Sequence, residues 1–98
     1  MVKGELRTLR ITLEATDSGI LGYVYLRDIP EGAVAKTVAL DPEPSIHADY
    51  DAEGTLLGLE FLDAQAADAD VMRRLAKRLN VPELAGIDLA EMCGAAAR

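Results

Sequence analysis

Ser-Ile-His-Ala-Asp-Tyr-Asp-Ala-Glu-Gly-Thr-Leu-Leu-Gly-Leu-Glu-Phe-Leu, residues 45–62, decides how this chain folds. Ile46 and Ala48 alternate with His47 and Asp49, and Leu57, Leu59 and Phe61 alternate with Gly58 and Glu60. Period two marks half-buried strands, because successive side chains of an extended chain point to opposite faces. Between the two runs lies Asp51-Ala52-Glu53-Gly54, a turn in which Gly supplies the left-handed position. The segment therefore reads as a hairpin with Asp51 and Gly54 as its turn residues. A four-residue loop sets Ala48 opposite Leu57 and Ile46 opposite Leu59, whereas a three-residue loop would set Ile46 against Glu60. Only the first gathers Ile46, Ala48, Leu57, Leu59 and Phe61 on one side, so it is the expected register.

The same residues carry a competing signal. Asp49 to Glu60 satisfies the calcium-loop pattern D-x-[DN]-x-[DN]-G-x5-E, apart from Glu53 at its fifth position, with apolar Leu56 at the eighth. A calcium loop needs a helix on each flank to hold its ligands. Here Pro42 and Pro44 stand upstream and both flanks alternate, so solvated turn carboxylates are expected. His47, Asp49 and Asp51 share a strand face by parity, with Glu60 diagonally across. Histidine with carboxylates can hold a divalent transition metal. These four are the candidate metal ligands, and a metal-binding protein or small metal-dependent enzyme is the alternative function. Strand neighbours two apart stand about 7 Å apart and the chain has one His, so no cofactor is expected.

Outward from the hairpin, Leu9, Ile11 and Leu13 alternate with Arg10, Thr12 and Glu14, a further half-buried strand. Residues 20–27 are apolar on both parities, Tyr23 and Tyr25 on one and Val24 and Leu26 on the other, as in an interior strand covered on both sides. Asp28-Ile29-Pro30-Glu31-Gly32 is a turn. Residues 33–40, with Val34, Val38 and Leu40 on one parity, form a third strand, which Asp41-Pro42-Glu43-Pro44 breaks because Pro has no N–H for the ladder. After Leu62 the period changes: Val71, Met72, Leu75, Ala76 and Leu79 recur at helical spacing. Asp63, Asp68 and Asp70 stand at or before the start of that helix and Arg73, Arg74, Lys77 and Arg78 toward its end, as the helix dipole favours. Asp70 and Arg74 make an i,i+4 pair, and Asn80 with Pro82 is a stop signal. Asp88, with Glu91 three residues on, is a candidate cap in the tail. The expected fold is α+β: a small antiparallel five-stranded β-meander sheet (residues 7–62), one packed α-helix (63–80) and a short helical extension (81–98), all in a single domain.

Residues 11–64 resemble a family of small bacterial proteins described as a domain of unknown function. Its early Asp-Ala-x-Tyr-Ile-x-Leu run corresponds to Asp17 and Gly22-Tyr23-Val24-Tyr25-Leu26, with Ser18 to Leu21 intervening. Its later Asp-Tyr-Asp-x-x-Gly-x-x-x-Gly-Ile-Glu-x-Leu-x-Ala run corresponds to Asp49-Tyr50-Asp51-Ala52-Glu53-Gly54, Gly58-Leu59-Glu60, Leu62 and Ala64. The resemblance implies a sheet-plus-helix fold and no established activity. It also suggests, by analogy, an antitoxin-like partner of a neighbouring gene product.

Composition bounds the function. Of 98 residues half are hydrophobic, the net charge is −7, and the aromatics are Tyr23, Tyr25, Tyr50 and Phe61. The negative balance argues against nucleic acid and membrane surfaces, both of them anionic. Apolar runs are too short for a transmembrane span or a signal peptide. Cys93, alone, excludes an internal disulfide and fits a reducing, cytoplasmic compartment. Charge is uneven: residues 41–70 hold nine acidic residues and no Lys or Arg, and the basic helix follows. No nucleophile, base and orienting group can be named together, so no catalytic residue is expected and the chain does not read as an enzyme. One helix covers one face of a five-stranded sheet, and the second face is expected to carry Tyr23, Tyr25, Leu56 and Leu62. A self-associating protein-interaction module follows, a dimer with a protein partner. Its candidate surfaces are Tyr23 and Tyr25 on the sheet and Arg73, Arg74, Lys77 and Arg78 on the helix.

Overall fold

The computed structural model describes residues 9–40 and 45–96. Five strands, β1 (Arg10–Thr16), β2 (Gly19–Tyr25), β3 (Lys36–Ala39), β4 (Ile46–Tyr50) and β5 (Leu56–Phe61), make one antiparallel sheet in the order β1-β2-β5-β4-β3. A 3-10 turn at Ala64–Ala66, helix α1 (Ala69–Leu79), a 3-10 stretch at Pro82–Gly86 and helix α2 (Leu89–Ala96) follow. The α+β class, the five antiparallel strands and the packed helix agree with the sequence pattern. The strand order departs from a continuous meander, because β2 pairs with β5 rather than with β3. Burial explains this. Val24 of β2 and Leu59 of β5 are both fully buried and sit side by side, whereas Lys36 and Thr37 of β3 are exposed. Residues 26–35 carry the chain across to the far edge, where a short polar strand belongs. The expected strand start at residue 7, the break at Asp41-Pro42-Glu43-Pro44 and the tail end at Arg98 lie outside the described residues.

The hairpin of β4 and β5 forms as expected but two residues out of the expected register. Ile46 faces Phe61, His47 faces Glu60, Ala48 faces Leu59 and Asp49 faces Gly58, and an irregularity then sets Tyr50 opposite Leu56. The extra residue is a bulge at Leu57, which switches the two leucines. Leu56 joins Tyr50 against the core, while Leu57 is buried outside the contiguous core cluster. Turn chemistry drives this. The Asp51 carboxylate accepts from the backbone N–H of Glu53 (2.9 Å) and Thr55 (2.8 Å), and Asp51 N–H donates to Thr55 O (3.0 Å). Gly54 has φ 85°, which an L side chain rarely adopts.

Two cross-strand rows build the core layer. Ile11, Val24, Leu59, Ala48 and Val38 form one; Leu13, Gly22, Phe61 and Ile46 form the other. A Cβ at Gly22 would meet the Ala64 Cβ at 3.1 Å, so the missing side chain lets the 3-10 turn sit on the sheet. Met72, Leu75 and Ala76 of α1, with Leu84, Leu89 and Cys93, close the same cluster. The helix expected over 63–80 is shorter because the Asp63 and Ala64 region is that 3-10 turn. Asp68 caps α1 by accepting from Val71 N–H at 3.1 Å. Asp70 pairs with Arg73 one turn on. Asn80 (φ 59°) ends the helix in the left-handed region, with Val81 N–H returning to Ala76 O at 2.9 Å, a Schellman closure. Asp88 caps α2 through Glu91 N–H at 3.0 Å. Among the described residues no helix is long and apolar enough to cross a membrane.

Candidate functional site

Helices lie on the core side of the sheet, where Val24, Ala48 and Phe61 point. The residues of opposite parity form a second face, again two rows deep. Arg10, Tyr25, Gly58, Asp49 and Thr37 run across all five strands, and beside them run Thr12, Tyr23, Glu60, His47 and Ala39. This open face is the candidate site. β2 is interior in strand order yet, among the described residues, covered on one side only, so Tyr23 and Tyr25 are half-buried. Leu56, expected here, is on the core side because of the bulge. Leu62 lies past the end of β5 and is 48% exposed.

A line of contacts crosses the face. The Arg10 guanidinium sits 4.0 Å from the Tyr25 ring centroid, a cation–π geometry. The Tyr25 and Tyr23 centroids are 4.7 Å apart at 53°. The Tyr23 hydroxyl donates to Asp49 Oδ2 at 2.7 Å and the Thr37 hydroxyl to Asp49 Oδ1 at 2.6 Å. Tyr23 stands on β2 and Asp49 on β4, so the phenol must pass over β5. It can do so because Gly58 leaves that place empty: a Cβ there would lie 2.5 Å from the Tyr23 ring. His47 Nδ1 lies 3.4 Å from Glu60 Oε1 directly across the ladder.

Of the four candidate metal ligands, the structure brings His47 and Glu60 together. Asp49 turns to the two hydroxyls and Asp51 to the turn N–H groups. Among the described residues no three His, Cys, Asp or Glu side chains are grouped to hold a metal ion. Asp49 and Glu60 stand on paired strands rather than in a helix-flanked calcium loop. The candidate interaction residues divide: Tyr23 and Tyr25 lie on the open face, and Arg73, Arg74, Lys77 and Arg78 are exposed on α1, in the layer on the other side of the sheet. Cys93 is 1% exposed in the core, where burial and then the nearby Asp63 carboxylate push its thiol up, away from the reactive thiolate. Arg10, Thr37 and Gly58 are site residues that the sequence reading passed over.

Burial, and after it the hydrogen bond to Asp49, hold the Tyr23 phenol far above the usual tyrosine range. The folded state thus favours the neutral phenol. Its contribution is complete below the unfolded value of about 10 and is lost as pH rises toward the folded one. Thermal unfolding from pH 8 to 12 is expected to show an alkaline loss of stability that is smaller in Tyr23→Phe. Equal loss in both proteins would mean that this phenol is not held neutral.

Residues 22–65, just under half the chain, match a family described as "Protein of unknown function (DUF2283)". The matched stretch starts within β2 and ends in the 3-10 turn, so it contains Tyr23, His47, Asp49, Gly58 and Glu60 and leaves out Arg10. No curated protein and no solved structure matches the chain.

Proposed function

We propose that this chain is a non-catalytic, self-associating protein-interaction module of the cytoplasm. It belongs, on this reading, to a small bacterial family marked by the Asp-Tyr-Asp and Gly-Leu-Glu runs of residues 49–60, and it serves as the antitoxin-like partner of another protein. One observation carries the reading: among the described residues a complete sheet face has no layer over it, and its side chains are tied to each other. Tyr23, Thr37 and Asp49 satisfy one another, and Arg10 stacks on Tyr25. Such a surface offers rings, a guanidinium and fixed acceptors rather than a group poised to react. Tyrosine and arginine are side chains that anchor protein interfaces, tyrosine because its rigid ring buries large area at low entropic cost and arginine because its planar guanidinium stacks and donates several hydrogen bonds at once. The acidic residues 41–70 suit a basic partner, through steering more than through affinity.

Light scattering at tens of micromolar is expected to return twice the chain mass, and a clean monomer would remove self-association. Calorimetric titration with calcium, manganese, nickel and zinc is expected to give no saturable heat. Saturable heat abolished by His47→Ala would replace this reading with the metal-binding one.

A further inference from the structure

Among the described residues β1 pairs only with β2, so it forms one edge of the sheet. An edge strand presents N–H and C=O groups without ladder partners. The opposite edge, β3, is four residues long, whereas β1 has seven, holds no proline and carries no charge among its core-side residues. Ile11 and Leu13 point to the core side yet stay half-buried, because nothing among the described residues stands beyond them. The first five residues of β1 read Arg10-Ile11-Thr12-Leu13-Glu14, a run whose charges reverse sign about its centre.

We infer that a second copy of this chain adds to this edge, β1 against β1, antiparallel about a two-fold axis at Thr12. In that register Arg10 faces Glu14 of the other copy twice over, Ile11 faces Leu13 on the core side, and Thr12 faces itself. Opposite charges directly across a ladder attract and like charges repel, which fixes the register. Centring on Arg10 or on Glu14 would set like charges face to face. Centring on Ile11 or Leu13 loses both charge pairs. A slip by one residue would put the apolar side of one copy on the polar face of the other. The product is a ten-stranded sheet with one continuous open face, and the two Arg10–Tyr25–Tyr23 groups flank its axis. This inference rests on the self-association proposed above and names the surface that makes it.

Sedimentation and oxidative cross-linking test it. Arg10→Glu and Glu14→Arg each turn two attractive pairs into repulsive ones and are expected to weaken the dimer about tenfold. The double variant is expected to recover most of that loss, with circular dichroism confirming the fold of each. Antiparallel partners stand about 4.5–5.5 Å apart at Cα, within disulfide reach, so Thr12→Cys is expected to give a covalent dimer under oxidation. Thr37→Cys, on the other edge, and the wild type are expected to give none. A wild-type monomer would overturn both this inference and self-association. A dimer indifferent to the charge reversals, with no cross-link through Thr12→Cys, would overturn β1 pairing alone.

Discussion

Phe61→Ala is expected to cost about 3–5 kcal/mol of stability, the range for deleting a buried aromatic ring. Phe61 is fully buried at the C-terminal end of β5, between Gly22 and Ile46 on the neighbouring strands. It is the chain's one phenylalanine. Tyr23 and Tyr25 are on the open face and Tyr50 packs half-buried at the core's margin, so the buried core otherwise rests on Leu, Ile, Val, Met, Ala and Cys side chains. The site is poorly placed to collapse after truncation. Gly22 brings no side chain to it, and Ala64 is already 3.1 Å from where a Gly22 Cβ would stand. A domain of this size holds about 5–15 kcal/mol in all, so the variant would be marginal. Urea unfolding checks this: the midpoint should fall with the slope unchanged. Phe61→Leu keeps most of the volume and should cost about 1.5 kcal/mol or less. Equal costs for the two variants would mean that Phe61 is not the keystone of this layer.

What could be read from the chain alone was local. Alternation at Leu9–Leu13 and around His47 marks strands because side-chain direction is fixed by backbone geometry over a few residues. Asp68, Asn80 and Asp88 mark helix ends because their side chains or backbone angles satisfy groups nearby. The hairpin register was less legible: the Asp51 carboxylate holds Thr55 N–H and forces a bulge at Leu57, so a choice based on parity alone lands two residues away. Strand order was not legible in this way, since β2 meets β5 across more than thirty intervening positions and the choice depends on competing burial of Val24 and Lys36. The site inherits that gap. Tyr23, Tyr25, His47 and Glu60 could be named from their own strands. Arg10 and Thr37 become partners of Tyr25 and Asp49 only once the two edges are known. Gly58 is visible as part of a family-like run, but its use depends on a ring arriving from β2.

Gly58→Ala follows from that last point and is expected to drive the Tyr23 ring off the sheet. Gly58 has no positive φ among the residues that show one, so the backbone accepts alanine and the conflict is purely one of space. The new Cβ would stand 2.5 Å from Tyr23 Cε1 and from its hydroxyl oxygen, and 2.7 Å from Cζ. No real contact is that short, so the ring must leave and its hydrogen bond to Asp49 with it. A bond to a carboxylate contributes about 1.5–3 kcal/mol when formed away from water. The half-buried position of Tyr23 places the expected net cost toward the lower end of that range. Three readouts should move together: the unfolding midpoint falls, the alkaline loss assigned to Tyr23 shrinks, and the Tyr23–Tyr25 ring contact disappears from the aromatic circular dichroism. A double-mutant cycle isolates the cause. On a Tyr23→Ala background the same Gly58→Ala change should be neutral or stabilising, because alanine suits an extended backbone better than glycine once nothing contests the space. On a Tyr23→Phe background it should still be costly, since Cε1 and Cζ remain while the hydroxyl is gone. A penalty of the same size on all three backgrounds would show that something other than the Tyr23 ring needs the space above β5.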